Sequence, residues 1–185
     1  MKKIGDLIKP YASVVFGALL LLYYLNWLTG QGTMLAIGII ALLVSIFYLA
    51  YGILGSILGE KFPKALGIIA IALFPFFMFI CFIIGLTNGV DGIGPTGWII
   101  LILSMNGSLI FSGLYVVAAF VKVPVLKRLA FLFAAVFGLV LLMNIVFDGA
   151  GNPIILGNID ILLVVIYALY AFMMFSSLKE EQVNK

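Results

Sequence analysis

Apolar residues run through this chain in long unbroken stretches, interrupted by short polar or glycine-rich corners. Six stretches are long enough to cross a bilayer: Tyr11–Leu28, Thr33–Leu58, Ala65–Leu86, Gly97–Val121, Val125–Phe147 and Ile154–Phe175. A helix needs about 20 apolar residues to cross a hydrocarbon core of about 30 Å. The runs are continuous and do not alternate with period two, so helices are expected and not barrel strands. The first stretch is the shortest and can reach back to Ile8 across Pro10. The second and fourth are long enough to tilt or to project.

The corners repeat. Lys9-Pro10, Lys61-Phe62-Pro63 and Lys122-Val123-Pro124 each precede an apolar run. Proline is tolerated in the first turn of a helix, where its missing N–H has no partner to lose. These prolines are therefore read as the starts of helices one, three and five. The opposite corners are Thr29-Gly30-Gln31-Gly32, Asp91-Gly92-Ile93-Gly94 and Asp148-Gly149-Ala150-Gly151. Glycine permits positive φ in a tight turn, and Asp or Thr can hold nearby backbone N–H groups. Each outgoing run then reaches a tyrosine: Tyr51, Tyr115 and Tyr170. The expected fold is an all-α polytopic membrane protein with six transmembrane helices as three tandem hairpins, about 9–60, 61–121 and 122–178. A tail over 179–185 completes a single membrane domain.

Charge orients it. All ten Lys and Arg (2, 3, 9, 61, 64, 122, 127, 128, 179 and 185) lie at one end of the six runs. The other end holds only Asp91, Asp148 and Asp160. Positive residues stay inside, so both termini are expected in the cytoplasm and the protein in the cell (plasma) membrane. Composition agrees. The chain of 185 residues is 65% hydrophobic and 9% charged, against about 25% charged in a soluble domain. Lys2 and Lys3 before an apolar run resemble a signal peptide. No small-x-small cleavage site follows, so the run is read as a retained helix.

Candidate chemistry is sparse. There is no His, and the lone Cys81 sits among Phe and Ile, a setting for a small hydrophobe. Ser104, Ser108 and Ser112 fall on every fourth residue of the fourth run. They suit close helix packing or the polar wall of a solute path. Gly52, Gly55, Ser56 and Gly59 allow close approach in the second. Asn106 and Asn144 are amides at membrane depth, each needing partners on a neighbouring helix or a ligand. Asp160 is the acid nearest the hydrocarbon. With Asn158 as a cap it would sit in the first turn of the sixth helix, and otherwise it is a functional candidate. Asp91, Asp148 and Asp160 could gather around a cation, but Thr29 breaks the set and turn formation explains them better. Pro75 predicts a kink in the third run. Trp27, Trp98 and the repeated tyrosines fit interfacial belts. No nucleophile-and-base pair, metal-ligand cluster or nucleotide loop is visible. The expectation is no enzyme, no cofactor and no nucleic-acid partner. Lipid, a membrane-protein partner or a second copy remain as contacts.

The layout resembles HdeD-type acid-resistance membrane proteins, which are built from a short hairpin repeat with glycine in the outgoing helix. Gly38 with Ser45, and less well Gly107 with Gly113, are similar to that pattern; the third repeat lacks it. The resemblance implies a non-enzymatic membrane role in stress tolerance. Six spans near this length also resemble the membrane component of vitamin importers. That family's Ala-x-x-x-Ala motif is missing from the first run, where Ala12 and Ala18 are six apart. The leading expectation is a scaffold, accessory subunit or stress-related component. The alternative is a small-solute transporter or the substrate-binding component of a larger one.

Overall fold

The computed structural model describes residues 4–61, 63–87, 94–121, 123–147, 152–154 and 160–183. Six long helices account for most of them: α1 (Ile4–Tyr24), α2 (Thr33–Leu58), α3 (Lys64–Thr87), α4 (Pro95–Phe120), α5 (Pro124–Val146) and α6 (Ile161–Val183). Five of them, and α1 continued through the residues that follow it to Thr29, are long and apolar enough to cross a membrane. The second run matches its helix at both ends, and the third, fourth and fifth agree within two residues. Tertiary packing adds little here, because lipid already demands that each apolar run close its own backbone hydrogen bonds.

Three boundaries depart from expectation. Pro10 lies inside α1, which begins six residues earlier, so it does not start the helix. Pro63 stands just outside α3, whereas Pro124 opens α5 as expected, and Pro95 opens α4. At the far end of α1 the chain tightens into a 3₁₀ turn, Leu25–Thr29. There Thr29 donates its hydroxyl to the Asn26 carbonyl at 2.7 Å and so holds an acceptor, not the N–H group that turn chemistry favours. Gly32 follows with φ +58, a conformation that glycine adopts without steric cost. The other two glycine corners, with Asp91 and Asp148, lie outside the described residues.

The apolar run from Ile154 overstates the sixth helix: α6 starts at Ile161, the late start that Pro153 and Gly157 favour. Ile154 instead donates its N–H to the Val146 carbonyl at 2.7 Å, and Phe147 pairs with Pro153 in an antiparallel bridge. This folds 152–154 back against the end of α5. Asp160 itself then caps α6, its carboxylate accepting from the N–H groups of Leu162 (2.9 Å) and Leu163 (3.3 Å). The cap is thus Asp160 and not Asn158, which is outside the described residues. Replacing Asp160 by Ala should cost about 1 kcal/mol, and by Asn much less, because an amide oxygen can still cap. Thermal unfolding of the two variants in detergent checks the ranking.

Each helix packs on its neighbour in sequence, and α6 returns to α1, closing a ring. The α1–α2 pair is the tightest. Backbone meets backbone there, with Gly17 against Ser45 and Leu49, and Gly52 against Pro10 and Val14. By contrast α5 lies much more against α4 than against α6. Each helix sends at least one aromatic ring inward, among them Phe16, Tyr48, Phe74, Phe111, Phe137 and Tyr170, all essentially without exposure. They form one connected cluster. Phe16 meets Tyr48 (4.7 Å between ring centres) and Phe74 (5.1 Å), Phe74 meets Tyr170 (4.7 Å), and Phe137 meets Tyr170 and Phe111 (5.8 Å each). Edge-on and tilted ring pairs of this kind add about 0.5–1.5 kcal/mol each beyond the area they bury.

Candidate functional site

The densest polar chemistry surrounds Pro75 of α3. Pro75 is buried inside this helix. It has no N–H, so the carbonyl four residues earlier, Ile71, loses its intrahelical donor. In water a solvent molecule would replace it, but this carbonyl faces the aromatic core. Tyr170 of α6 replaces it instead, donating its hydroxyl to Ile71 at 2.6 Å. The carbonyls on either side also receive hydroxyls. Tyr48 of α2 donates to Ala70, and Ser112 of α4 donates to Ala72 at 2.9 Å. Three consecutive carbonyls of one helix are thus held by hydroxyls from three others. The effect is mechanical: the segment of α3 weakened by Pro75 is pinned by its neighbours, and every donor involved is consumed.

Tyr170 and Tyr115 were expected at the membrane interface, and both are buried in the bundle. The Tyr115 hydroxyl pairs with Ser177 of α6. A phenol is long enough to carry its hydroxyl through an apolar layer to a polar group beyond it, so these rings serve the core and the backbone together. Tyr51, the expected counterpart in the first hairpin, is only half-buried; Tyr48, three residues earlier, takes the buried role. Trp98 is exposed, as expected of a ring facing lipid near a span end.

The serine face divides. Ser112 bonds across to α3, Ser108 turns back to the Met105 carbonyl at 3.0 Å, and the buried Ser104 hydroxyl has no partner among the described residues. Ser45 likewise bonds back to Ala41 at 2.7 Å, and Gly38 seats the backbone of Trp27 and Leu28. The two amides part company with the serines. Asn144, half-buried on α5, donates to Val140 at 2.9 Å, and Asn106, exposed on α4, donates to Ile102 at 2.8 Å. Gly107 makes ordinary contact with Val136 and Val140 of α5. Close approach in α2 comes at Gly52, while Gly59 ends that helix with φ +54.

Asp160 has surroundings that its sequence position does not reveal. It lies close enough to Tyr23 of α1 and Tyr167 of α6 to interact with both electrostatically. Tyr23 stacks edge-on with Tyr24 (5.0 Å), and Tyr24 continues to Trp27 (5.3 Å) and Phe77 (5.6 Å). Cys81 of α3, half-buried, is within electrostatic range of Tyr24 and Tyr167. A carboxylate thus sits at the rim of an aromatic patch built from three helices. Tyr23-Tyr24 at the end of the first run was the available signal, and only the meeting of α1 with α6 gives it meaning. Asp91 and Asp148 lie outside the described residues. Among the described residues no three His, Cys, Asp or Glu come together as a group that could hold a metal ion.

Comparison with known proteins finds no family model, curated protein or solved structure that matches this chain.

Proposed function

We propose that this protein is a non-catalytic multi-pass component of the cell membrane, a scaffold or accessory subunit with a role in stress tolerance. In this reading it consists of three tandem hairpins with both termini in the cytoplasm. The carrying observation is how the interior is used. Aromatic rings from all six helices fill the middle of the bundle, and the hydroxyls of Tyr48, Ser112 and Tyr170 are spent on the α3 backbone. A solute path needs polar groups left free for the solute; here those three close helix–helix contacts, Ser45 and Ser108 bond back to their own helices, and Ser104 alone of these serines has no partner among the described residues. The charge segregation supports the orientation, and the resemblance to HdeD-type proteins supports the stress-related role.

A second reading, a small-solute transporter or the binding component of a larger one, draws on Asp160 with Tyr23, Tyr24 and Tyr167. Such a patch offers a charge and ring faces to a cationic solute.

Thiol labelling separates the two. With Cys81 replaced by Ala, single cysteines at Ser104, Ser108 and Ser112 should resist a membrane-impermeant thiol reagent in intact vesicles. A cysteine at exposed Lys64 should react once the basic side is accessible. Strong labelling along the serine positions, or saturable uptake lost in Asp160→Asn, would replace the scaffold reading with the transport reading.

A further inference from the structure

The outward face of α4 carries a feature that lipid alone does not satisfy. Asn106 is exposed, and it is eleven residues past the start of a 26-residue helix, about 16 Å along an axis of about 39 Å. Its amide is therefore near the middle of the hydrocarbon layer. One N–H bonds back to Ile102 at 2.8 Å. The side chain has a second N–H and a carbonyl oxygen, and lipid tails can neither donate nor accept. The other amides described within spans are near span ends: Asn144 is half-buried near the end of α5, and Asn26 is in the 3₁₀ turn that follows α1.

The residues around Asn106 are spaced for a partner helix. Ile99, Leu103, Asn106, Ile110, Gly113 and Val117 are all exposed, and they are separated by alternating steps of four and three. That is the seam spacing of a left-handed helix pair, in which a single polar seam residue sets register and partner number. Gly113 lies one heptad beyond Asn106, and a side chain built there would meet nothing within 4 Å. A facing helix can approach closely at such a point.

We propose that α4 is the dimer interface of this protein and that its partner is the α4 of a second copy. An amide is both donor and acceptor. Two copies related by a twofold axis would therefore let each Asn106 donate to the carbonyl oxygen of the other. Identical seams then meet in register, and the same axis places the two Gly113 residues on one side of the contact. The interface is independent of whether the protein is a scaffold or a carrier.

The test uses full-length protein in native membranes, with Cys81 replaced by Ala. Single cysteines at Leu103, Ile110 and Val117 should form disulfide-linked dimers under mild oxidation. Cysteines at Leu139 on α5 and Leu43 on α2, which are more exposed still, should not. Fluorescence energy transfer between labelled copies in phosphatidylcholine vesicles should show dimerisation about seven- to seven-hundred-fold weaker in Asn106→Val, the range expected when both reciprocal interhelical hydrogen bonds are lost in a membrane. Asn106→Gln should recover part of the loss, because it restores both donor and acceptor. Among the described residues Asn106 makes no hydrogen bond to another helix, so in dilute detergent, where copies are apart, thermal unfolding of Asn106→Val should match the parent and show that the variant folds. Equal cross-linking at α4, α5 and α2 positions would overturn the proposal. So would a protein that stays monomeric in vesicles, or dimers indifferent to Asn106→Val.

Discussion

Adding a single methyl group at Gly52 should drive α1 away from α2. A Cβ there would lie 2.5 Å from the Pro10 carbonyl oxygen and 2.5 Å from a Val14 methyl group, with the Val14 nitrogen at 2.9 Å. Two of those three atoms are backbone and cannot rotate aside. Gly52→Ala should therefore cost about 1–3 kcal/mol, the usual range for overpacking, and Gly52→Val more. The sign is the informative part. Alanine is the better helix former by about 1 kcal/mol, so a glycine in open space should gain from the same change. A Cβ at Gly85 or Gly138 meets nothing within 4 Å. Thermal unfolding in detergent should place Gly52→Ala well below the parent, with Gly85→Ala and Gly138→Ala at or above it.

The second large effect is a coupling. Tyr170→Phe keeps the ring and removes the hydroxyl, leaving the Ile71 carbonyl without its donor in a dry interior. An unsatisfied buried acceptor costs about 1–3 kcal/mol. Pro75→Ala restores the N–H that could reach the same carbonyl from within α3. In the Pro75→Ala background, Tyr170→Phe should then cost much less, so the two changes are far from additive. Stability measurements on the parent, both single variants and the double variant give the coupling directly. Additive costs would mean that Tyr170 contributes through its ring alone. Tyr48→Phe is a useful comparison, because its acceptor, Ala70, is not the carbonyl that Pro75 deprives.

Both predictions concern residues whose type was visible in the sequence but whose partner was not. Pro75 announced a kink; that its freed carbonyl would be met by a tyrosine 99 positions from Ile71 in sequence was not legible. Gly52 looked like one of several small residues in α2, and nothing local separated it from Gly55. The serine face was readable from its spacing of four, yet its three hydroxyls have three different fates. Asp160 is the instructive case at the boundary. Its role as a cap uses only N–H groups within three residues, and local turn chemistry came within two residues of finding it. Its neighbourhood with Tyr23 and Tyr167 depends on α1 and α6 meeting.

The sequence alone determined the six apolar helices, because hydrocarbon offers no partner for a peptide group and each long apolar run must satisfy its own. It also carried the segregation of charge from which orientation is argued. Tertiary structure decided which faces turn inward. In lipid, hydrophobicity does not distinguish the buried side of a helix from the exposed one, so no period in the sequence marks the core. Packing made that choice through shape and hydrogen bonding: glycine where backbones touch, a hydroxyl where a proline leaves a carbonyl open. On α4 the same packing buried the serines and left Asn106 facing outward.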